Sequence, residues 1–170
     1  MTLRRTGYRL WQFVASLRAL FFSSKEGEAV ALLGPAEYAL FRRMARYDRA
    51  HALRVLRWLK EKGAEDPILW KAALLHDLGK SAGREGIPLP CRGPIVLARG
   101  CPRLWRWLSR ERPAGHLLRP FYLYATHAAR GAEMAHAAGC PEEVVALVAI
   151  HHDAGVEGAG RLLQEADQQS

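Results

Sequence analysis

The sequence predicts an all-α protein. Apolar residues recur at spacings of three and four along most of the chain, and no stretch alternates apolar and polar with a period of two. Pro and Gly stand where helices would start and stop, as at Gly34-Pro35, Asp66-Pro67 and Gly139. With 170 residues, 49% of them hydrophobic and 25% charged, the chain is long enough for one domain with a real core.

Each element follows from local pattern. Leu10, Trp11, Phe13, Val14, Leu17, Leu20 and Phe21 recur at helical spacing, with Arg4, Arg5, Arg9 and Arg18 around them. That predicts a basic amphipathic helix, of a kind that packs on its own domain or lies on a membrane surface. The run from Arg9 to Phe22 is too short and too polar to span a bilayer. Ser23 to Gly34 reads as a polar break, and residues 1–34 as a helix and linker ahead of a domain over 35–170.

Gly34-Pro35 opens a helix with Leu40, Phe41 and Met44 on its apolar face. Asp48 is a plausible N-cap for the next, which carries His51, Leu53, Leu56 and Leu59 and stops at Gly63. Asp66-Pro67 caps and opens a third, through Leu69, Ala72, Ala73 and Leu75 to His76-Asp77, where Gly79 breaks it. Residues 81–103, rich in Gly, Pro and Arg, read as a long excursion, followed by a short helix over 102–110. A long helix is expected over 121–138, closed by Gly139. Pro141-Glu142-Glu143 starts another, with acid where the helix dipole favours it, running into His151-His152. A last helix covers 159–167.

The net charge is +8, from 25 Lys and Arg against 17 Asp and Glu. Such a balance favours anionic partners: nucleotides, nucleic acid or acidic lipid headgroups. Three Cys, at 91, 101 and 140, fit neither a disulfide framework nor a zinc ribbon. Reduced thiols suit a cytoplasmic protein, which is the expected compartment.

The informative residues are an ordered series of imidazoles and carboxylates: His51, His76-Asp77, His127, His151-His152 and Asp167. Five separate helices carry them, so only packing can join them. A bundle can focus side chains from several helices onto one interior point. Taken singly, each has a plainer reading. His76-Asp77 and His151-His152 suit helix ends, His127 suits a polar seam, and Asp167 suits solvent. Taken together, His and Asp suit divalent metals of the Mn, Fe, Zn or Mg kind.

The order His, His-Asp, Asp on consecutive helices resembles the HD-domain superfamily of metal-dependent phosphohydrolases. The run His76-Asp77-Leu78-Gly79-Lys80 is similar to the HDIGK form of its HDIG and HD-GYP branches. The added His127 and His151-His152 resemble the two-metal branch. The lead-in Arg46-Tyr47-Asp48-Arg49-Ala50-His51 resembles a group of small stand-alone bacterial HD proteins, and the likeness covers residues 46–168.

The resemblance implies an HD-domain helical bundle, here with the extra N-terminal helix. It implies that His51, His76, Asp77 and Asp167 hold a first metal and that Asp77 bridges to a second, held by His127 and His151. His152 would be a further ligand or a substrate contact, and Lys80 would reach a phosphate oxygen. The implied cofactors are two divalent ions, Fe or Mn first, with Zn, Mg or Ni as alternatives. Two such ions bridge and activate a hydroxide. Arg84 at the excursion and Arg130, about one turn after His127, are candidate phosphate contacts.

The expected activity is a phosphodiesterase, phosphatase or dinucleoside-polyphosphate hydrolase. Its substrate would be a small phosphorylated molecule of nucleotide type, with nucleic acid less favoured. Asp153-Ala154-Gly155 after His152 departs from the glycine-tyrosine-proline motif, which argues against a cyclic dinucleotide. A di-iron oxygenase shares the ligand list, and a non-catalytic metal-binding regulatory module is the third reading. The expectation leaves room for a homodimer and for weak membrane-surface contact through the N-terminal helix.

Overall fold

The computed structural model describes residues 26–81 and 85–170. The expected amphipathic helix near the N-terminus and Arg84 lie outside the described residues. Among those described there is no strand, and nine α-helices build the molecule. They are α1 (Gly27–Leu32), α2 (Pro35–Arg43), α3 (Arg46–Glu61), α4 (Pro67–Leu75), α5 (Leu89–Ala98), α6 (Pro102–Leu108), α7 (Arg119–Ala137), α8 (Glu142–Ile150) and α9 (Gly158–Gln169). A 3₁₀ turn, Leu78–Ser81, follows α4. None of the described helices is long and apolar enough to cross a membrane.

The helix α4 is the hub. Asp66 caps it, accepting from the Ile68 amide at 2.9 Å, and Pro67 fills its first position. Its mean hydropathy is high, and Ala72 through Gly79 are buried without a break. A helix that is apolar all round belongs in the interior. It packs against α1, α2, α3, α8 and α9, so the His76-Asp77 pair at its end lies at the centre of the bundle. The main core includes Phe41, Leu53, Leu56, Leu59, Leu74, Val144 and Leu163.

A second, smaller core holds Ile87, Ile95, Ala98, Leu108, Phe121 and Leu123. It lies beneath α5 and α6, which cover the near half of α7.

Three expectations need correction. The stretch read as a polar break carries α1, whose Ala29 and adjoining Leu33 enter the main core. The excursion contains α5, disguised by Pro90, Gly93 and Pro94. Pro90 costs nothing in the first turn, and burial of Ile95 and Ala98 offsets the backbone bond that Pro94 removes. Asp48 does not cap α3. Ala45 does, and Asp48 is fully buried in the first turn.

Asp48 ties α3 to α5. Arg92 Nη2 donates to its Oδ1 at 2.7 Å, the Arg92 guanidinium lies 4.0 Å from the Tyr47 ring centre, and Tyr47 Oη donates to Ile87 O at 2.6 Å. Burial pushes the Asp48 carboxyl above its ordinary range, and Arg92 opposes that. Removing one partner of a buried pair leaves an uncompensated charge. Arg92→Ala is therefore expected to lower unfolding free energy by about 3 kcal/mol, and adding Asp48→Asn to restore much of it. Urea denaturation checks both, and a cost for Arg92→Ala below about 1 kcal/mol would refute the argument.

Candidate metal centre

The end of α4 and the end of α8 use the same device. The last carbonyls of a helix lack intrahelical donors. His76 follows α4 and its Nδ1 faces Ala73 O at 2.9 Å, while His151 follows α8 and its Nδ1 faces Val148 O at 2.7 Å. Within α7, His127 repeats the contact to Tyr124 O at 2.6 Å. A carbonyl only accepts, so the proton of each neutral ring sits on Nδ1. The lone pair of each Nε2 then points inward, the arrangement that metal-ligating imidazoles adopt.

Those inward nitrogens fall into two groups. His127, His151 and His152 form one, and His51, His76 and Asp167 the other, with the ligand atoms of each group all within 4.8 Å of one another. In the first group, His127 Nε2 lies 3.2 Å from His151 Nε2 and 3.1 Å from His152 Nε2. In the second, His51 Nε2 lies 2.7 Å and His76 Nε2 3.5 Å from the same Asp167 oxygen, Oδ1. The His76 and His151 rings, 5.3 Å apart centre to centre, join the groups.

Asp77 stands between them. Its Oδ1 is 3.4 Å from His76 Nε2 and 3.6 Å from His127 Nε2. His76 Nε2 is buried and has no well-aligned hydrogen-bond partner among the described residues. Buried polar atoms without partners are rare and costly.

Electrostatics separates the two groups. Burial lowers His151 to about 3, with the His76 charge adding to it. Burial and then Lys80 hold His127 well below the ordinary imidazole range, and burial also lowers His152. His127 and His151 therefore face each other at 3.2 Å as two acceptors with no proton between them. A cation is what such a pair lacks. On the other side, burial would lower His76, but Asp77 and Asp167 outweigh it and raise it to about 9. Burial would raise both carboxyls. Contacts with His76 and Lys80 hold Asp77 well below the usual range, and the hydrogen bond from His51, with the His76 ring close by, does the same for Asp167. A divalent ion competes with the His76 proton for the same atoms. The unpartnered His76 Nε2, the paired acceptors and the imidazole–carboxylate donor set all fit bound divalent metal.

The structure thus gathers His51, His76, Asp77, His127, His151, His152 and Asp167 into one cluster. Lys80, expected to reach a phosphate oxygen, is paired with Asp77 in the cluster. Lys80 Nζ lies 2.7 Å from both carboxylate oxygens of Asp77, and only 11% of its side chain is exposed. Burial would lower its pKa, but the Asp77 charge raises it. Arg130 lies on α7 with its Nη2 4.0 Å from Glu85 Oε2. Nearby, Trp105 packs on Phe121 and Tyr124, and Trp107 is half exposed.

Sequence reading missed what brings the two halves together. Gly79 in the 3₁₀ turn packs directly on the α7 backbone at His127 and Gly131. Gly131, in the middle of a long helix, was the available signal, since an interior glycine marks close approach.

Comparison with known proteins gives one match. The family model described as HD domain covers residues 49–169, most of the chain. No curated protein and no solved structure matches.

Proposed function

The chain belongs to the HD domain family, whose members are in general metal-dependent hydrolases, and we propose that it is a phosphohydrolase cleaving a phosphoester or phosphoanhydride bond of a nucleotide-type substrate. One observation carries the reading. Three imidazoles with Nδ1 committed to carbonyls turn their Nε2 atoms, together with Asp77 Oδ1 and Asp167 Oδ1, into two adjoining groups of ligand atoms in the interior.

His51, His76 and Asp167 would hold one divalent ion, His127, His151 and His152 a second, and Asp77 would serve both. The imidazole-rich second group favours Fe or Zn over Mg. Bound metals supply Lewis acidity and an activated water. The remaining roles belong to the chain. Lys80 keeps Asp77 ionised and oriented, and its ammonium has three donors, so one can turn toward a phosphoryl oxygen as charge gathers there. His152 lies on the solvent side of its group, where it can touch substrate as well as metal. The net charge of +8 favours an anionic substrate.

The test is elemental analysis of protein purified without chelator, beside a broad phosphoester panel. Two ions per chain and metal-dependent hydrolysis are expected. His127→Ala is expected to retain one ion, because His51, His76 and Asp167 do not depend on it. Metal-loaded protein that releases nothing from the panel would overturn the hydrolase reading.

A further inference from the structure

Beside the imidazole cluster lies a second charged group that plays no part in holding metal. Arg119 Nη2 pairs with Glu85 Oε2 at 3.0 Å, and Arg130 Nη2 is 4.0 Å from the same oxygen. Arg119 Nη1 also donates to the Arg112 carbonyl, and its guanidinium lies over the Tyr122 ring. One carboxylate thus faces two guanidinium groups, which leaves a net positive charge.

The donors outnumber the acceptors. Arg119 Nε and Arg130 Nη1 are buried N–H groups with no hydrogen-bond partner among the described residues, against one such acceptor, Glu85 Oε1. Unmade hydrogen bonds of this kind are costly, and they mark a place for a further acceptor. The side chains of Arg119, Glu85 and Arg130 remain 18%, 26% and 23% exposed, so an anion can reach them. A phosphate brings about two negative charges and three acceptor oxygens, and the planar guanidinium fork matches it.

Position relates this group to the metal centre. Arg119 and Arg130 are three turns apart on one face of α7, and Arg130 is one turn beyond His127. Glu85 arrives from the other side, on the strip of chain whose Ile87 amide donates to Lys80 O at 3.1 Å. The arginines therefore flank the Lys80 side of the cluster.

We propose that Arg119 and Arg130 form a second phosphate cradle, which takes a phosphate of the substrate other than the one attacked. Glu85 occupies the cradle until that phosphate displaces it. The favoured substrates then carry two or more linked phosphates. The inference rests on the phosphohydrolase reading for its meaning, but its binding test does not need turnover.

Full-length, metal-loaded protein is titrated calorimetrically with inorganic tripolyphosphate and, separately, with orthophosphate, which is too small to occupy cluster and cradle together. Arg130→Gln is expected to weaken tripolyphosphate roughly tenfold or more, the scale of one charge-assisted contact, with orthophosphate unchanged. Arg119→Gln is expected to act in the same direction. Because Arg119 also holds the Arg112 carbonyl, Arg130→Gln is the cleaner variant. Glu85→Gln is expected to tighten tripolyphosphate several-fold. If Arg130→Gln and Glu85→Gln leave the tripolyphosphate affinity unchanged, or shift both anions equally, the cradle is refuted while the hydrolase reading stands. If arginine-dependent tripolyphosphate binding persists in a protein that hydrolyses no phosphoester, the hydrolase reading fails and the cradle stands.

Discussion

Asp77→Ala is expected to lose metal, activity and stability together. The carboxylate is buried, it is the one acid shared by both imidazole groups, and it neutralises Lys80 at 2.7 Å. Removing it strands an ammonium ion in the interior, which costs about 3–5 kcal/mol. Hydrolysis should fall on the order of 10³-fold or more, equivalent to the several kcal/mol that a metal contributes to the transition state. The two losses can be separated. Asp77→Ala combined with Lys80→Met removes the stranded charge, so the urea midpoint should largely recover while metal content and hydrolysis remain low. A double variant that regained activity would refute the shared-ligand role. A single variant as stable as the parent would refute the buried pair.

Gly79→Ala is expected to be the most disruptive glycine-to-alanine change among the described residues. A Cβ at position 79 would lie 2.0 Å from His127 O, 2.7 Å from Gly131 N and 2.8 Å from His127 C. These are backbone atoms of a long helix and cannot swing aside as a side chain can. The cost should exceed about 4 kcal/mol, beyond ordinary overpacking, and folding fails outright if the domain is less stable than that. Gly131→Ala offers the graded comparison. Its Cβ would meet Gly79 N at 3.1 Å and Val148 Cγ1 at 3.3 Å, and about 1–3 kcal/mol is expected. Where either variant folds, separation of the 3₁₀ turn from α7 moves His127 away from Asp77. Elemental analysis should then show loss from the His127 group first. A Gly79→Ala protein within about 1 kcal/mol of the parent would sink the contact.

The parts of this architecture that were legible share a physical cause. Helices with a polar cap, Pro at the first position and Gly beyond the last announce their own ends, as α4 does with Asp66-Pro67. Their positions fixed which helix each ligand rides on, and hence that only a bundle could gather them. What stayed hidden depends on tertiary contact. Ala29 and Leu33 are too few to signal α1, and their burial comes from packing against the bundle. The helix α5 contradicts its own propensity and survives on the burial of Ile95 and Ala98. Asp48 looks like a cap because caps are commonly Asp, yet Arg92, 44 residues away, recruits it inward. The Asp77–Lys80 contact was readable in principle from spacing, since groups three residues apart face each other on a helical turn. The Glu85–Arg119 contact, spanning 34 residues, was not.

The His51–Asp167 contact joins residues 116 positions apart. An ion held by this pair would act on the unfolded chain as a cross-link closing a long loop, and the entropy removed by such a closure grows with loop length. The same span sets an order of events during synthesis. The His51 group is incomplete on any nascent chain that stops short of α9, however well the earlier helices have already packed. Metal capture at that group would thus report that the last helix has docked.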